Sequence, residues 1–260
     1  MDFDCSRKDL KSLEGLKMSK TAIIIPARYN SKRLNGKPLI KVCEKPIIQW
    51  VWERAKQVKS ADLVIIATDN EEIFNTAKEF GADVEMTAEN HSSGSDRIKE
   101  VADRHPEIDI IVNLQGDEPM INPDCVEEVI NILKNDINAD IATLVSKASD
   151  NDDLDDPNMV KCVFNNDGYA MYFSRSKIPY ERNFDIADFY KHIGIYAYRK
   201  ESLAKMSELT QPKVEQAESL EQLRALYYGM KIKVSVVEYD SIGIDTLADL
   251  NSFKKLVETV

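Results

Sequence analysis

Short runs of β-branched and apolar residues recur between stretches of helical periodicity through the first half of the chain, and no other feature limits the fold more. Residues 22–25, 63–67, 83–86, 108–114 and 140–145 are such runs. Their near-continuous apolar character suits strands covered on both faces, and strands of that kind belong to parallel sheets. Helical patterns fill the gaps. Residues 47–58 carry Ile48, Val51, Trp52 and Ala55 on one stripe, 71–80 follow Asp69 and Asn70 as a cap, and 123–134 open with Pro123. The expectation is an α/β fold with a mixed, mostly parallel sheet flanked by helices.

After the acidic stretch 150–156 the pattern changes. Residues 159–164 and 169–173 flank Asn165-Asn166-Asp167-Gly168 and read as a β-hairpin with an Asp-Gly turn. Residues 191–198 read as another strand, 214–228 as one helix, 232–237 as a strand returning to the sheet, and 247–257 as a closing helix. One domain is therefore expected over 21–260, with a smaller β-rich lobe inserted at about 155–212. Residues 1–20 match no pattern and are expected to be a poorly ordered extension.

Lys and Arg number 34 against 45 Asp and Glu, a formal charge of −11, which argues against a nucleic-acid binder. The longest apolar runs fall far short of the roughly 20 residues that cross a bilayer. The first twenty residues lack the apolar core of a secretory signal, so a cytoplasmic location is expected. Cysteines at 5, 43, 125 and 162 form no CxxC pair, and histidines at 91, 105 and 192 form no HExxH motif. Any metal is therefore expected to be oxygen-bound. No two glycines stand two apart, which removes the dinucleotide fingerprint GxGxxG. Gly36-Lys37 is no Walker motif either, because Ser31 replaces the first glycine and Pro38 the hydroxyl residue.

The loop after the first strand, PARYNSKRLNGKPL, gathers Arg28, Lys32, Arg33 and Lys37 in an otherwise acidic chain. A basic cluster whose path is fixed by Pro26, Gly36 and Pro38, at the carboxyl edge of a strand, is suited to a polyphosphate. NLQGDEP places Asp117 and Glu118 just past another strand. They read equally as an acidic turn or as ligands of a hard cation such as magnesium. Asp245, in GIDTLADL, reads as a second such carboxylate or as a helix cap.

These blocks, together with ATDN, MTAENHSSGSDR, YFSRSKIPY, KHIGIYAYR and ESLEQLR, resemble in order and spacing the 3-deoxy-manno-octulosonate cytidylyltransferases, the CMP-Kdo synthetases, from about residue 21 to the C-terminus. The resemblance implies a nucleotide-diphospho-sugar transferase-like (Rossmann-like) fold with a dimerisation and sugar-binding lobe. It implies transfer of CMP from CTP to the eight-carbon sugar acid Kdo with Mg2+, in a homodimer, for lipopolysaccharide or capsule synthesis. By that pattern Arg28, Arg33 and Lys37 contact the CTP phosphates, and Ala27, Thr68, Ser93, Gln115 and Gly116 shape the cytidine pocket. Asp117 and Asp245 hold the metal. Arg97, Arg175, His192, Tyr196, Glu218, Glu221 and Gln222 surround the sugar.

Several of these roles are chemically sensible by themselves. An arginine fork suits a sugar carboxylate, as Arg97 or Arg175 would supply. Glu218, Glu221 and Gln222, at i, i+3 and i+4, would share one helix face, and spacing alone favours a merely solvated face there. His192 and Tyr196, four apart in a strand, would share one side of the sheet and either line a pocket or pack. Three departures from the family pattern stand out: Asn35 and Lys177 where proline is common, and Ser95 where threonine is usual. Two rivals are a cytidylyltransferase for an amino-substituted or sialic-type acid sugar, and a binding protein without turnover.

Overall fold

The computed structural model describes residues 20–29, 34–91, 93–183, 186–239 and 243–258. Lys32, Arg33 and all of the N-terminal extension except Lys20 lie outside the described residues. The strands are β1 (Lys20–Ala27), β2 (Lys41–Val42), β3 (Lys45–Pro46), β4 (Leu63–Thr68), β5 (Asp83–Met86), β6 (Ile108–Asn113), β7 (Ile141–Lys147), β8 (Lys161–Phe164), β9 (Ala170–Ser174), β10 (Tyr190–Arg199) and β11 (Ile232–Val236). The helices are α1 (Ile47–Ala55), α2 (Glu71–Glu79), α3 (Gly94–Arg104), α4 (Pro123–Asn135), α5 (Lys200–Glu208), α6 (Lys213–Glu218), α7 (Gln222–Tyr227) and α8 (Leu247–Glu258).

Among the described residues, nine strands form one sheet whose main path runs β11-β7-β10-β6-β1-β4-β5. Strand β1 pairs in parallel with β4 on one side and β6 on the other, and β5 extends the β4 edge in parallel. The order reverses between β1 and β6, because the chain moves outward through β4 and β5 before returning to the opposite side of β1. Ligands of open α/β sheets bind at the carboxyl ends of strands at such a reversal.

Alternation along β1 explains the layers. Ile23 and Ile25 face a core built with α1, α2, α4 and α8, while Ala22 and Ile24 face a second core built with α3, α5 and α7. All four residues are completely buried. Each buried isoleucine contributes about 1.5–3 kcal/mol relative to exposure, which makes β1 the axis of the fold.

Strand β10 enters antiparallel between β6 and β7, and it also carries the β8–β9 hairpin. Gly168, at φ +73°, closes that hairpin. The register of β10 against β7 shifts between Ile193 and Tyr196. The Thr143 hydroxyl seats itself in this irregularity and donates to the Ile195 carbonyl at 2.7 Å.

The sequence reading places β1, β4 to β11 and α1, α2, α4 and α8 within a few residues. It does not assign β2, β3, α3 or α5. It also draws one helix over 214–228 where the molecule has α6 and α7, separated at Ser219 by a left-handed backbone (φ 51°, ψ 47°).

Candidate active site

The site is assembled from three loops at the carboxyl end of the sheet. After β1 the chain reaches Gly36, whose φ of +66° lets it turn tightly, with its N–H bonded to the Tyr29 carbonyl at 2.9 Å. A 3-10 turn over Lys37–Leu39 then aims Lys37 back at the sheet. After β6 comes Gln115-Gly116-Asp117. Gly116 is required sterically, since a Cβ there would stand 2.9 Å from the Pro26 carbonyl oxygen. Before α8, Ile244 donates its N–H to the Asp117 carbonyl at 2.9 Å, which splices the two carboxylate-bearing loops together.

Lys37, 8 % exposed, closes the arrangement. Its ammonium lies 2.7 Å from Asp117 Oδ2, 3.2 Å from Asp245 Oδ1 and 2.7 Å from the Ile244 carbonyl. Asp117 and Asp245 thus meet across 128 residues of sequence around one cation. Capping of α8 falls to Thr246 and Asp249, which exchange backbone and side-chain bonds, so the cap reading does not account for Asp245.

Beside this cluster is a cavity of about 230 Å3 at the β1–β6 reversal, lined by Ala27, Arg28, Lys37, Gly94, Gln115, Gly116 and Asp117 among others. Among the described residues, Arg28 Nη2 is buried there with no hydrogen-bond partner. Burial first, and the positive charge of Arg97 second, hold the Arg28 pKa below its ordinary value. A buried guanidinium nitrogen without a partner is costly, and an incoming phosphate oxygen would relieve that cost. The first turn of α3 also borders the cavity through Gly94, and a helix N-terminus favours negative charge.

A second cavity, of about 670 Å3, is lined by Ser93, Gln211, Glu215, Ser219, Glu221 and Arg224 among others. It is the neighbour of the first, since adjacent residues Ser93 and Gly94 line one each. Glu221 accepts a 3.0 Å bond from Ser95 Oγ, and burial raises its pKa. Serine at position 95 keeps the hydroxyl that this bond needs.

The remaining expected site residues fall into different places. Ser93, expected at the cytidine, lines the second cavity and caps α3 in a reciprocal capping box with Asp96. Thr68 is fully buried, and its carbonyl accepts from Thr87 N at 2.8 Å. Arg97 is completely buried, bonds Asp69 and Thr87, and lines neither cavity. Arg175 directs its guanidinium at backbone carbonyls, Glu218 at 2.6 Å and Pro157 at 2.7 Å.

The shared helix face is corrected by the Ser219 bend. Glu218 turns to β9, accepting from Ser174 Oγ at 2.7 Å and Arg175 N at 2.9 Å, whereas Glu221 turns to the second cavity and Gln222 is buried. His192 and Tyr196 do share a side of β10, and they pack with ring centroids 5.3 Å apart while Phe173 meets His192 edge-on at 5.0 Å. Burial pushes the His192 pKa down to about 3. Thr143 Oγ1 lies 2.9 Å from His192 Nε2, beside its bond to the Ile195 carbonyl. Sequence reasoning missed Glu215 and Arg224, because their pairing requires a bend that no residue in 214–228 announces.

A profile of the cytidylyltransferase family matches residues 22–232. A 3-deoxy-manno-octulosonate cytidylyltransferase of Thermodesulfovibrio yellowstonii is 46 % identical over 252 residues, covering 92 % of this chain and 98 % of that protein. One from Fusobacterium nucleatum is 43 % identical over 227 residues, covering 87 % and 92 %. The solved structure of CMP:2-keto-3-deoxy-manno-octonic acid synthetase complexed with CTP superposes with a TM-score of 0.89 at 44 % identity, covering 93 % of this chain and 99 % of that one. On its sequence, its fold and the residues it brings together, the chain belongs to the 3-deoxy-manno-octulosonate cytidylyltransferases.

Proposed function

We propose that this protein transfers the CMP unit of CTP to the anomeric hydroxyl of Kdo, giving CMP-Kdo and pyrophosphate. The observation that carries the reading is the convergence of Lys37, Asp117 and Asp245 beside a cavity into which Arg28 brings a buried nitrogen that no described residue bonds. The cytidine triphosphate would occupy that first cavity, with Arg28 and Lys37 toward its phosphates and Ala27, Gln115 and Gly116 as its walls. Arg33 belongs by sequence to the same basic loop. The sugar acid would enter the second cavity, where the half-buried Glu221 carboxylate accepts bonds from its hydroxyls.

The donors fit a hard divalent cation. Two carboxylates and a carbonyl already surround one positive charge, and the Asp117/Asp245 pair contains no nitrogen or sulfur ligand. Among the described residues no group of three or more His, Cys, Asp or Glu side chains forms a fuller metal site, so water and phosphate oxygens would complete the coordination. Asp117 and Asp245 would hold magnesium, which when bound supplies charge neutralisation at the reacting phosphate. In this scheme the sugar hydroxyl oxygen attacks the α-phosphorus in line with departing pyrophosphate and gives up its proton to water, while the bond from the α-phosphorus to the oxygen bridging to the β-phosphate breaks. Lys37 and Arg28 stabilise the negative charge that grows on the transferring and leaving groups. No covalent enzyme intermediate is required.

We further read the protein as a cytoplasmic homodimer whose product feeds lipopolysaccharide or capsule synthesis; among the described residues no helix is long and apolar enough to cross a membrane. Lys177 does not turn the site toward an amino sugar, which would want an added acceptor. Its ammonium lies 3.6 Å from Glu181 and over the Phe189 ring at 4.7 Å. The direct test is Lys37→Ala. Its kcat should fall about 10²–10³-fold with a smaller change in the KM for CTP, as loss of a transition-state charge requires. A defect confined to that KM would place Lys37 in ground-state binding alone.

A further inference from the structure

The bend at Ser219 needs an explanation, because a residue with a Cβ seldom holds a left-handed backbone unless its surroundings keep it there. Two sets of bonds do so. From outside, Arg175 Nε donates to the Glu218 carbonyl at 2.6 Å. From within, Arg224 on α7 reaches back across the bend to Glu215 on α6 with a two-pronged contact, Nε to Oε2 at 2.8 Å and Nη2 to Oε1 at 2.6 Å. Gln211 Nε2 adds a 3.2 Å bond to the same carboxylate.

Burial makes this pair more than a surface contact. The Glu215 side chain is 4 % exposed and that of Arg224 15 %, so removing one partner leaves a buried charge without its counterion. The bond to Glu215 is also the main reason the Arg224 pKa lies above its ordinary value. The consequence of the bend is local and specific: Glu218 faces β9, while Glu221, three residues on, faces the second cavity and receives the Ser95 hydroxyl. A continuous helix would have kept the two carboxylates on one side.

We propose that Glu215 and Arg224 form a positioning clasp: by locking α6 to α7 across the Ser219 bend, they hold Glu221 on the wall of the second cavity and thereby set recognition of the sugar acid. The proposal rests on the reading that this cavity receives Kdo. Glu215 and Arg224 line that cavity beside Glu221, and the role assigned to the pair is to hold the wall in shape.

The test is a double-mutant cycle in the full chain with Glu215→Gln, Arg224→Met and the combined variant, plus Arg224→Lys, which keeps the charge and loses the fork. Each single change should raise the KM for Kdo about tenfold while the KM for CTP stays within about twofold. Arg224→Lys should recover only part of the loss, and the double variant should be no worse than the poorer single. Multiplying effects in the double variant, equal rises in both KM values, altered thermal stability with unchanged kinetics, or a silent Glu215→Gln beside a defective Arg224→Met would each overturn the clasp. If Arg224→Met does not fold, Glu215→Gln and Arg224→Lys carry the same comparison. If the unaltered enzyme does not turn over CTP with Kdo, the substrate reading fails instead. The clasp is then judged by urea unfolding, where additive losses across the cycle reject it and non-additive losses support it.

Discussion

A single ammonium holds the centre of the site. Lys37 bridges two carboxylates, Asp117 on the cavity wall and Asp245 beside it, and it does so from the loop that also carries Arg28. Asp117→Ala should therefore abolish magnesium-dependent turnover while leaving the far-ultraviolet circular dichroism unchanged. Near-normal activity with the same magnesium dependence would remove Asp117 from the metal site. His192 gives a prediction of the opposite kind. With its folded pKa pushed down to about 3 against 6.5 unfolded, the unfolded chain binds a proton that the folded chain refuses throughout that interval. Stability contributed at this residue is thus present above about pH 6.5 and is lost as pH falls toward 3. His192→Asn should reduce the drop in urea-unfolding free energy between pH 7 and pH 5, and an undiminished drop would show that His192 titrates normally. At this scale the sequence displayed the right residue types, Lys37, Asp117 and Asp245, but not their mutual contact. Pairings that span 80 and 208 positions are made by the sheet, and no local spacing encodes them.

Elements were legible where one periodicity governed them. The run 63–67 falls within β4, and Pro123 starts α4, because an apolar run and an N-terminal proline each admit few alternatives. Reading failed where a tertiary contact overruled the pattern. The segment 214–228 keeps helical spacing throughout, yet Glu215 and Arg224 close across a bend and Arg175 bonds the carbonyl beside it. The helix α3 starts with a Ser93–Asp96 capping box, but its buried face mixes Ser95 and Arg97 with Ile98, Val101 and Ala102, so it shows no clean apolar stripe. Gly116 supplies the element-scale test. Gly116→Ala would press a Cβ against the Pro26 carbonyl at the end of β1, where backbone cannot yield cheaply. The substitution should cost about 1–3 kcal/mol in unfolding free energy and weaken CTP binding together with it. Wild-type values for both would show that the β1 and β6 ends are not so closely apposed.

For the whole molecule, topology and charge agree. The sheet reverses direction between β1 and β6, and the first cavity opens at that reversal with loops from both strands as its walls. The parallel half of the sheet could be read from its apolar runs. The antiparallel insertion of β10 between β6 and β7 could not, because a strand's sequence states its burial and not its neighbour. A chain with net charge −11 gathers cations at this one loop, which matches a polyphosphate substrate and not a general affinity for nucleic acid. The most direct measurement is pyrophosphate release from each of the four nucleoside triphosphates, paired with Kdo, its 8-amino analogue or N-acetylneuraminate, with and without magnesium. Release confined to CTP with Kdo in the presence of magnesium is the predicted result. Release favouring another sugar would contradict the assigned substrate while keeping the chemistry, and no release from any pair would contradict the enzymatic account itself.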